Sequence, residues 1–237
     1  MNRIASPTSI FIDLDNTLYS YKEREKNARR DLLAKASHDL KISTRTLSKA
    51  YESARAHVKV RNGISANSHS RLCYISEMFV QLGLRQKPDQ ILELEKTYWQ
   101  SYISELQLDS KVNEFISLIR QRSVPLVLVT DLTLEIQYRK LIRLNLTSSF
   151  DYIIASEECG GDKISGLPFT LGFSRLSETE LKFPWFIGDS IYDDGGSYLE
   201  GESMFFIRSK YIKFPEKIDK NRTVYFSEFG QLIKLLK

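Results

Sequence analysis

Two carboxylates one residue apart, Asp13 and Asp15, follow a short apolar run in the stretch SPTSIFIDLDNTLYSYKE at residues 6–23. A carboxylate inside a protein is costly unless it is paired, hydrogen-bonded or bound to a metal ion. The apolar run is typical of a buried strand. This strand must therefore end either at the protein surface or at a site where the two acids have partners.

Three further apolar runs are also followed by polar side chains. These are Thr130 and Asp131 after PLVLVT (125–130), Glu157, Glu158 and Lys163 after DYIIAS (151–156), and Asp189 and Asp193 after PWFIGD (184–189). In a parallel sheet, ligands bind beyond the carboxyl ends of the strands, at the point where the strand order reverses. We therefore expect carboxylates, a hydroxyl and a lysine to converge on one edge of a sheet.

The elements that would position these residues follow from the spacing of apolar side chains. From about Tyr21 to Leu106 the apolar residues recur at helical spacing, and breaks divide this block into about four helices. From Asp109 onward, helices alternate with short, continuously apolar strands, which is typical of a parallel sheet covered on both faces. We predict an α/β protein with a Rossmann-like, doubly wound parallel sheet and an inserted all-helical domain.

Composition limits the classes of function. The chain has 237 residues, of which 42% are hydrophobic and 27% charged, as expected of a soluble globular protein. Its net charge of +4 is too small and too scattered to indicate a nucleic-acid partner. Two cysteines, Cys73 and Cys159, cannot make a disulfide framework, and no run approaches the roughly 20 apolar residues of a membrane span. We expect a cytoplasmic protein with no membrane or nucleic-acid partner.

Four stretches resemble, in order, the motifs of the haloacid dehalogenase superfamily. DLDNT resembles the first motif, Asp-x-Asp-x-Thr, and LVLVTD resembles the second, an apolar strand that ends in Thr or Ser. Lys163 sits where the superfamily has its third-motif lysine, although Ile164 follows it where a proline is usual. FIGDSIYDD resembles the fourth motif, Gly-Asp followed by another acid.

The resemblance covers the chain outside the helical block and favours the phosphatase-like branch, which carries a helical cap between the first and second motifs. It implies a Rossmann-like catalytic core over residues 1–17 and 108–237 and a helical cap over residues 18–107. It also implies a Mg²⁺-dependent phosphohydrolase that cleaves a small phosphorylated metabolite through an aspartyl-phosphate intermediate.

The resemblance assigns roles to individual residues. Asp13 would be the nucleophile and Asp15 the general acid and base. The implied catalytic residues are Asp13, Asp15, Thr130 and Lys163. The implied phosphate-binding residues are Asn16, Thr130, Asp131 and Lys163. The implied Mg²⁺ ligands are Asp13, the backbone carbonyl of Asp15, Asp189 and Asp193. Asp193 is preferred to Asp194 because small residues follow it at the spacing of the related motif, at Gly196, Ser197 and Gly201.

Several alternatives stay open. Asp15 argues against a dehalogenase, because the release of halide needs no general acid at that position. A phosphomutase would use the same intermediate, and a regulatory protein could keep the pocket and bind a phosphorylated ligand without turnover. His57, Arg61, His69 and Arg71 in the helical block could face a substrate or solvent. No motif in the chain indicates the identity of the substrate, the pathway or the oligomeric state.

Overall fold

The computed structural model describes residues 4–190, 203–209 and 222–237. The chain divides into two compact units. One comprises Met1–Ser20 and Gln107–Lys237 and contains the sheet, and the other is Tyr21–Leu106. We refer to them as the sheet unit and the helical unit.

The sheet unit contains six described strands, all paired in parallel. They are β1 (Ser9–Ile12), β2 (Leu126–Thr130), β3 (Tyr152–Ala155), β4 (Pro184–Gly188), β5 (Met204–Arg208) and β6 (Thr223–Phe226). Their order is β3-β2-β1-β4-β5-β6, so the direction of the strand order reverses at β1. This is the arrangement of a doubly wound sheet, in which ligands bind at the reversal. The predicted α/β class with a parallel sheet is confirmed.

Register places the end of β1 between its two neighbours. Ile12 lies opposite Leu128 of β2 and Ile187 of β4. Residues that follow these three strands therefore leave the same edge of the sheet side by side. The helices of the sheet unit are α5 (Val112–Gln121), α6 (Leu134–Arg143), α7 (Ser156–Cys159), α8 (Leu167–Phe173) and α9 (Phe229–Leu236).

Aromatic packing fixes α8 against the sheet. The ring of Phe11 on β1 stacks on that of Phe186 on β4, with centroids 5.1 Å apart, and meets the ring of Phe173 edge-on at 5.1 Å. Gly172 faces the same ring: a Cβ at this position would lie 3.0 Å from Phe11 Cε1. The glycine therefore allows α8 to approach the Phe11 face of the sheet closely.

The helical unit is built from four α-helices and a short 3-10 helix at Ala66–His69. The α-helices are α1 (Lys22–Leu40), α2 (Thr44–Asn62), α3 (Arg71–Gln81) and α4 (Pro88–Ser104), with α1 packed on α4 and α2 on α3. Ser43 and Ser70 cap α2 and α3, because their hydroxyls accept hydrogen bonds from the backbone N–H groups of Thr46 and Cys73, both at 3.2 Å. No helix in the described ranges is long and apolar enough to cross a membrane.

A buried cation, Arg71, lies in the middle of the helical unit. Its guanidinium lies 5.6, 5.2 and 5.3 Å from the ring centroids of Tyr74, Tyr98 and Trp99. It also donates to the carbonyl of His69 at 2.6 Å and to the hydroxyl of Tyr21. The charge is therefore enclosed by neutral aromatic and carbonyl groups.

Candidate active site

Asp13 directly follows β1, and each of its carboxylate oxygens accepts a hydrogen bond. Its backbone N–H donates to the carbonyl of Ile187 on β4 at 2.9 Å, so the residue still belongs to the sheet edge. Thr17 Oγ1 donates to Asp13 Oδ2 at 2.8 Å, and Lys163 Nζ donates to Asp13 Oδ1 at 2.7 Å. The carboxylate is 4% exposed, so the lysine supplies the countercharge that a buried acid requires.

The turn after β1 is stabilised from two sides. Asn16 adopts a left-handed backbone conformation with φ of 63°, which asparagine tolerates better than most residues. Arg208 at the end of β5 donates to the carbonyl of Thr17 and pairs with Asp109. The backbone N–H of Asp109 in turn donates to the carbonyl of Leu18 at 3.0 Å. The first motif is thus fixed by β5 and by the segment that precedes α5.

Asp15 is bound by a lysine on α6. Lys140 Nζ lies 2.9 Å from Asp15 Oδ1 and 2.7 Å from Oδ2, and the Tyr19 hydroxyl also donates to Oδ1. Burial raises the pKa of the Asp15 carboxyl, but the charge and hydrogen bonds of Lys140, together with the bond from Tyr19, more than offset it. The net result is a pKa below the ordinary value of an aspartate.

Thr130 ends β2 and is almost fully buried. Its hydroxyl oxygen accepts a hydrogen bond from Gln137 Nε2 at 2.7 Å, and the same nitrogen donates to the carbonyl of Asp131 at 2.6 Å. The carboxylate of Asp131 accepts from the backbone N–H of Lys163 at 2.8 Å. Asp131 therefore connects the end of β2 to the loop that carries the lysine.

Lys163 begins a 3-10 turn, Lys163–Ser165, after β3. Its side chain is buried and reaches Asp13, as described above. Ile164, which stands where the related motif usually has a proline, is 44% exposed on this turn. The two glutamates that precede the turn bind backbone amides: Glu157 accepts from the N–H of Leu134 at 2.8 Å, and Glu158 from that of Ala155 at 3.2 Å.

Of the two acids expected after β4, the structure describes one. Asp189 follows Gly188, at the end of the strand that pairs directly with β1, so it leaves the sheet beside Asp13. Asp193 and Asp194 lie outside the described residues. Within the described residues no three histidine, cysteine or acidic side chains form a group that could hold a metal ion.

Three side chains on α6 and β5 were not expected at the site: those on α6 contact predicted site residues, and the one on β5 contacts the turn that carries the first motif. Gln137, Lys140 and Arg208 are all buried and polar, at 0%, 0% and 3% exposure. Gln137 and Lys140 do carry a signal in the sequence, because they fall three residues apart, beside the apolar positions Ile136 and Leu141. That pattern places two polar groups on the helix face that meets the sheet.

These observations define the protein first as a doubly wound α/β protein with acids at the reversal of its strand order. Comparison with known proteins then gives the family. The sequence matches the family described as haloacid dehalogenase-like hydrolase over residues 10–198, and the chain belongs to that family. The predicted superfamily and the predicted hydrolase class of enzyme are therefore confirmed.

Individual relatives agree with this assignment. The chain is 29% identical over 219 residues, 91% of each chain, to ribulose-1,5-bisphosphate 5-phosphatase of Halopiger xanaduensis. Its fold is similar to that of the hydrolase YfnB of Bacillus subtilis, solved with bound magnesium, with a TM-score of 0.66, 21% identity and coverage of 98% and 99%. A 2-haloacid dehalogenase of Pseudomonas syringae pv. tomato DC3000 has a TM-score of 0.68, 16% identity and 98% coverage of both chains.

Proposed function

We propose that this hydrolase is a phosphatase that cleaves the monoester of a small phosphorylated metabolite, with Mg²⁺ as cofactor and an aspartyl phosphate as intermediate. One observation carries the proposal: Asp13 is held by Thr17 and Lys163, and Asp15 stands two residues further on. The Halopiger xanaduensis relative is named for a sugar bisphosphate, so bisphosphorylated and monophosphorylated sugars are the substrates to try first.

In the proposed reaction, an oxygen of the Asp13 carboxylate attacks the phosphorus atom while the bond from phosphorus to the ester oxygen breaks. Asp15 gives a proton to that leaving oxygen from its protonated form, which is the minor form in the free protein because Lys140 lowers the pKa of its carboxyl. Water then attacks the phosphorus of the aspartyl phosphate and gives a proton to Asp15, so that inorganic phosphate leaves and both acids are restored. Thr130 and Asn16, with the backbone N–H of Asp131, would bind phosphoryl oxygens, and the ammonium of Lys163 would offset their charge.

The oxygen donors at this edge fit Mg²⁺, which prefers hard carboxylate and carbonyl ligands. Asp13 and Asp189 leave neighbouring strands, and the carbonyl of Asp15 would complete the set with Asp193, which lies outside the described residues. A bound Mg²⁺ would neutralise charge on the phosphate and so reduce its repulsion by the acids. The magnesium bound to YfnB supports this choice of metal.

We also propose that the helical unit is the inserted domain that selects the substrate. The predicted domain limits, 18–107, lie within three residues of the unit Tyr21–Leu106. Loops and inserted elements on a rigid scaffold commonly carry specificity. A cytoplasmic location is proposed as well, because Cys73 and Cys159 are both free thiols.

The test is phosphate release from a panel of sugar phosphates, nucleotides and small carboxylate phosphates, with Mg²⁺ and with EDTA. A phosphatase releases inorganic phosphate with Mg²⁺ and loses that activity in EDTA, whereas a phosphomutase returns an isomerised phosphate ester. A binding protein would show saturable binding of a phosphorylated ligand without product. Halide release from a 2-haloacid, with no phosphate release from any ester, would contradict the proposal.

A further inference from the structure

The face of α6 that meets the sheet carries two fully buried polar side chains, Gln137 and Lys140. Their neighbours Tyr138 and Ile142, at 45% and 62% exposure, occupy the outer face. A buried ammonium group is unfavourable unless a charged partner and further hydrogen bonds compensate it. Lys140 therefore needs a charged partner, and Gln137 needs partners for its hydrogen bonds.

Lys140 contacts the carboxyl of Asp15 at two points. Nζ lies 2.9 and 2.7 Å from the two carboxylate oxygens. The carboxyl therefore has little rotational freedom, and the hydrogen bond from the Tyr19 hydroxyl restricts it further. The ion pair joins residues 125 positions apart in the sequence. It therefore ties α6 to the turn after β1.

Gln137 determines which way the hydroxyl proton of Thr130 can point. The amide nitrogen of Gln137 donates both to Thr130 Oγ1 and to the carbonyl of Asp131, which can only accept, so the orientation of the amide is fixed. Because the hydroxyl oxygen accepts from Gln137, its own proton remains available to donate. Among the described residues, this hydroxyl donates only to the Asp131 carbonyl, at 3.4 Å, which is a long bond.

We infer that the inward face of α6 is a positioning element of the active site. Lys140 fixes the carboxyl of Asp15, Gln137 directs the hydroxyl of Thr130 toward the phosphate, and neither residue touches the substrate. This inference rests on the proposed phosphatase function, which gives Asp15 and Thr130 their roles. A displacement of about 1 Å at a reacting group lowers rates by about 10²-fold, so the loss of either contact is measurable.

The kinetic test compares Lys140→Met with Arg139→Met, a matched control that removes a cation from the outer face of the same helix. Arg139 is partly exposed and lies 3.8 Å from Glu135. We expect Lys140→Met to lower kcat about 30- to 100-fold and to change KM by less than about 3-fold. Lys140→Gln, which can still donate to Asp15, should recover part of the loss, and Arg139→Met should match the wild type.

Double-mutant cycles separate positioning from general loss of structure. Added to Asp15→Asn, Lys140→Met should cost less than about 3-fold more, because its effect passes through Asp15. Added to Thr130→Val, Gln137→Leu should likewise have little further effect, although alone it should weaken competitive inhibition by inorganic phosphate about 10-fold. A Lys140→Met loss that is undiminished in the Asp15→Asn background would overturn the inference.

Crystal structures of the wild type and Lys140→Met test the same point without any assay of activity. The Asp15 carboxyl should move from its wild-type position in the variant. If no phosphate ester is turned over by the wild type and Asp15 nevertheless moves, the proposed function fails while the positioning by Lys140 stands. An Asp15 carboxyl that keeps its wild-type position in Lys140→Met would overturn the inference; if that variant fails to fold, Lys140→Gln takes its place under the same criterion.

Discussion

Both units of the molecule bury cations, and they compensate the charge in different ways. In the sheet unit, Lys140 and Lys163 each contact a carboxylate at 2.7 Å. In the helical unit, Arg71 is surrounded by Tyr74, Tyr98 and Trp99, and no carboxylate among the described residues pairs with it.

The chemistry of the two cations permits this difference. A guanidinium is planar and weakly hydrated, so it can stack on aromatic rings inside a protein, whereas an ammonium is a compact, strongly hydrated charge that needs an anion when buried. Burial also raises the pKa of the Tyr98 hydroxyl well above its ordinary value, which keeps that ring neutral. Arg71 therefore serves the packing of its unit, while the two lysines restrain the acids that we propose to react.

The largest effect is expected at the pair of Asp13 and Lys163. Asp13→Asn should reduce phosphate release by about 10³-fold or more, because the amide is nearly isosteric but a poor nucleophile. The measurement is phosphate release together with thermal unfolding, which should show an intact fold. Asp89→Asn, at an exposed position in the first turn of α4, is the matched control and should retain wild-type activity. Substantial turnover by Asp13→Asn would exclude it as the nucleophile.

A smaller and more selective effect is expected at the pair of Asp15 and Lys140. Asp15→Asn should slow alkyl phosphates by about 10²- to 10³-fold and p-nitrophenyl phosphate by clearly less, because a poor leaving group needs the proton most. The measurement is kcat/KM for both substrates on the same enzyme preparation. Equal losses for the two substrates would argue that Asp15 is not the proton donor.

Changes at Arg71 should affect stability more than chemistry. Arg71→Lys should destabilise the protein by about 2 kcal/mol, because an ammonium among aromatic rings loses hydration and cannot stack. Arg71→Met should cost less, about 1 kcal/mol, because it removes the buried charge and keeps apolar volume. Thermal unfolding measures both, with shifts of about 4–8 °C and 2–4 °C. If Arg71→Lys were more stable than Arg71→Met, the aromatic rings alone would not account for the burial of the charge, and Arg71 would have a charged partner.

The smallest effect is expected for a cation at the surface of the helical unit. Arg61 pairs with Glu77 at 3.0 Å, and its side chain is 58% exposed. Arg61→Met should lower stability by no more than about 1 kcal/mol, because solvent screens such pairs. The same thermal measurement serves as a control for Arg71. A loss of stability as large as that of Arg71→Lys would mean that the greater exposure of Arg61 does not reduce its contribution to stability.

Several features of the fold could be predicted from local sequence because their causes are local. The run that ends at Asp13 is apolar without alternation, and β1 is buried on both faces; the same holds for β2 and β4. One of the breaks that divide the block of helical spacing, at residues 41–43, corresponds to the end of α1, where Lys41 takes a left-handed conformation. The alternation of helix and strand after Asp109 likewise predicted parallel pairing.

Some features of the site could not be predicted because they depend on which segments become neighbours. Asp131 was expected to bind phosphate, and the structure adds that its carboxylate accepts a hydrogen bond from the backbone N–H of Lys163. The contact between Lys140 and Asp15 spans 125 positions, so no periodicity in α6 reveals its partner. Arg208 and Asp109, which restrain the first motif, are separated by 99 positions.

Side-chain type at short spacing is enough to identify the buried strands, the amphipathic helices and the polar residues that follow each strand. The strand order, which places Asp13 between the ends of β2 and β4, became known only from the folded structure. The same holds for the contacts of the buried lysines with carboxylates and of Arg71 with aromatic rings. Desolvation makes every buried cation require compensation, but only the packing of distant segments supplies the group that compensates it.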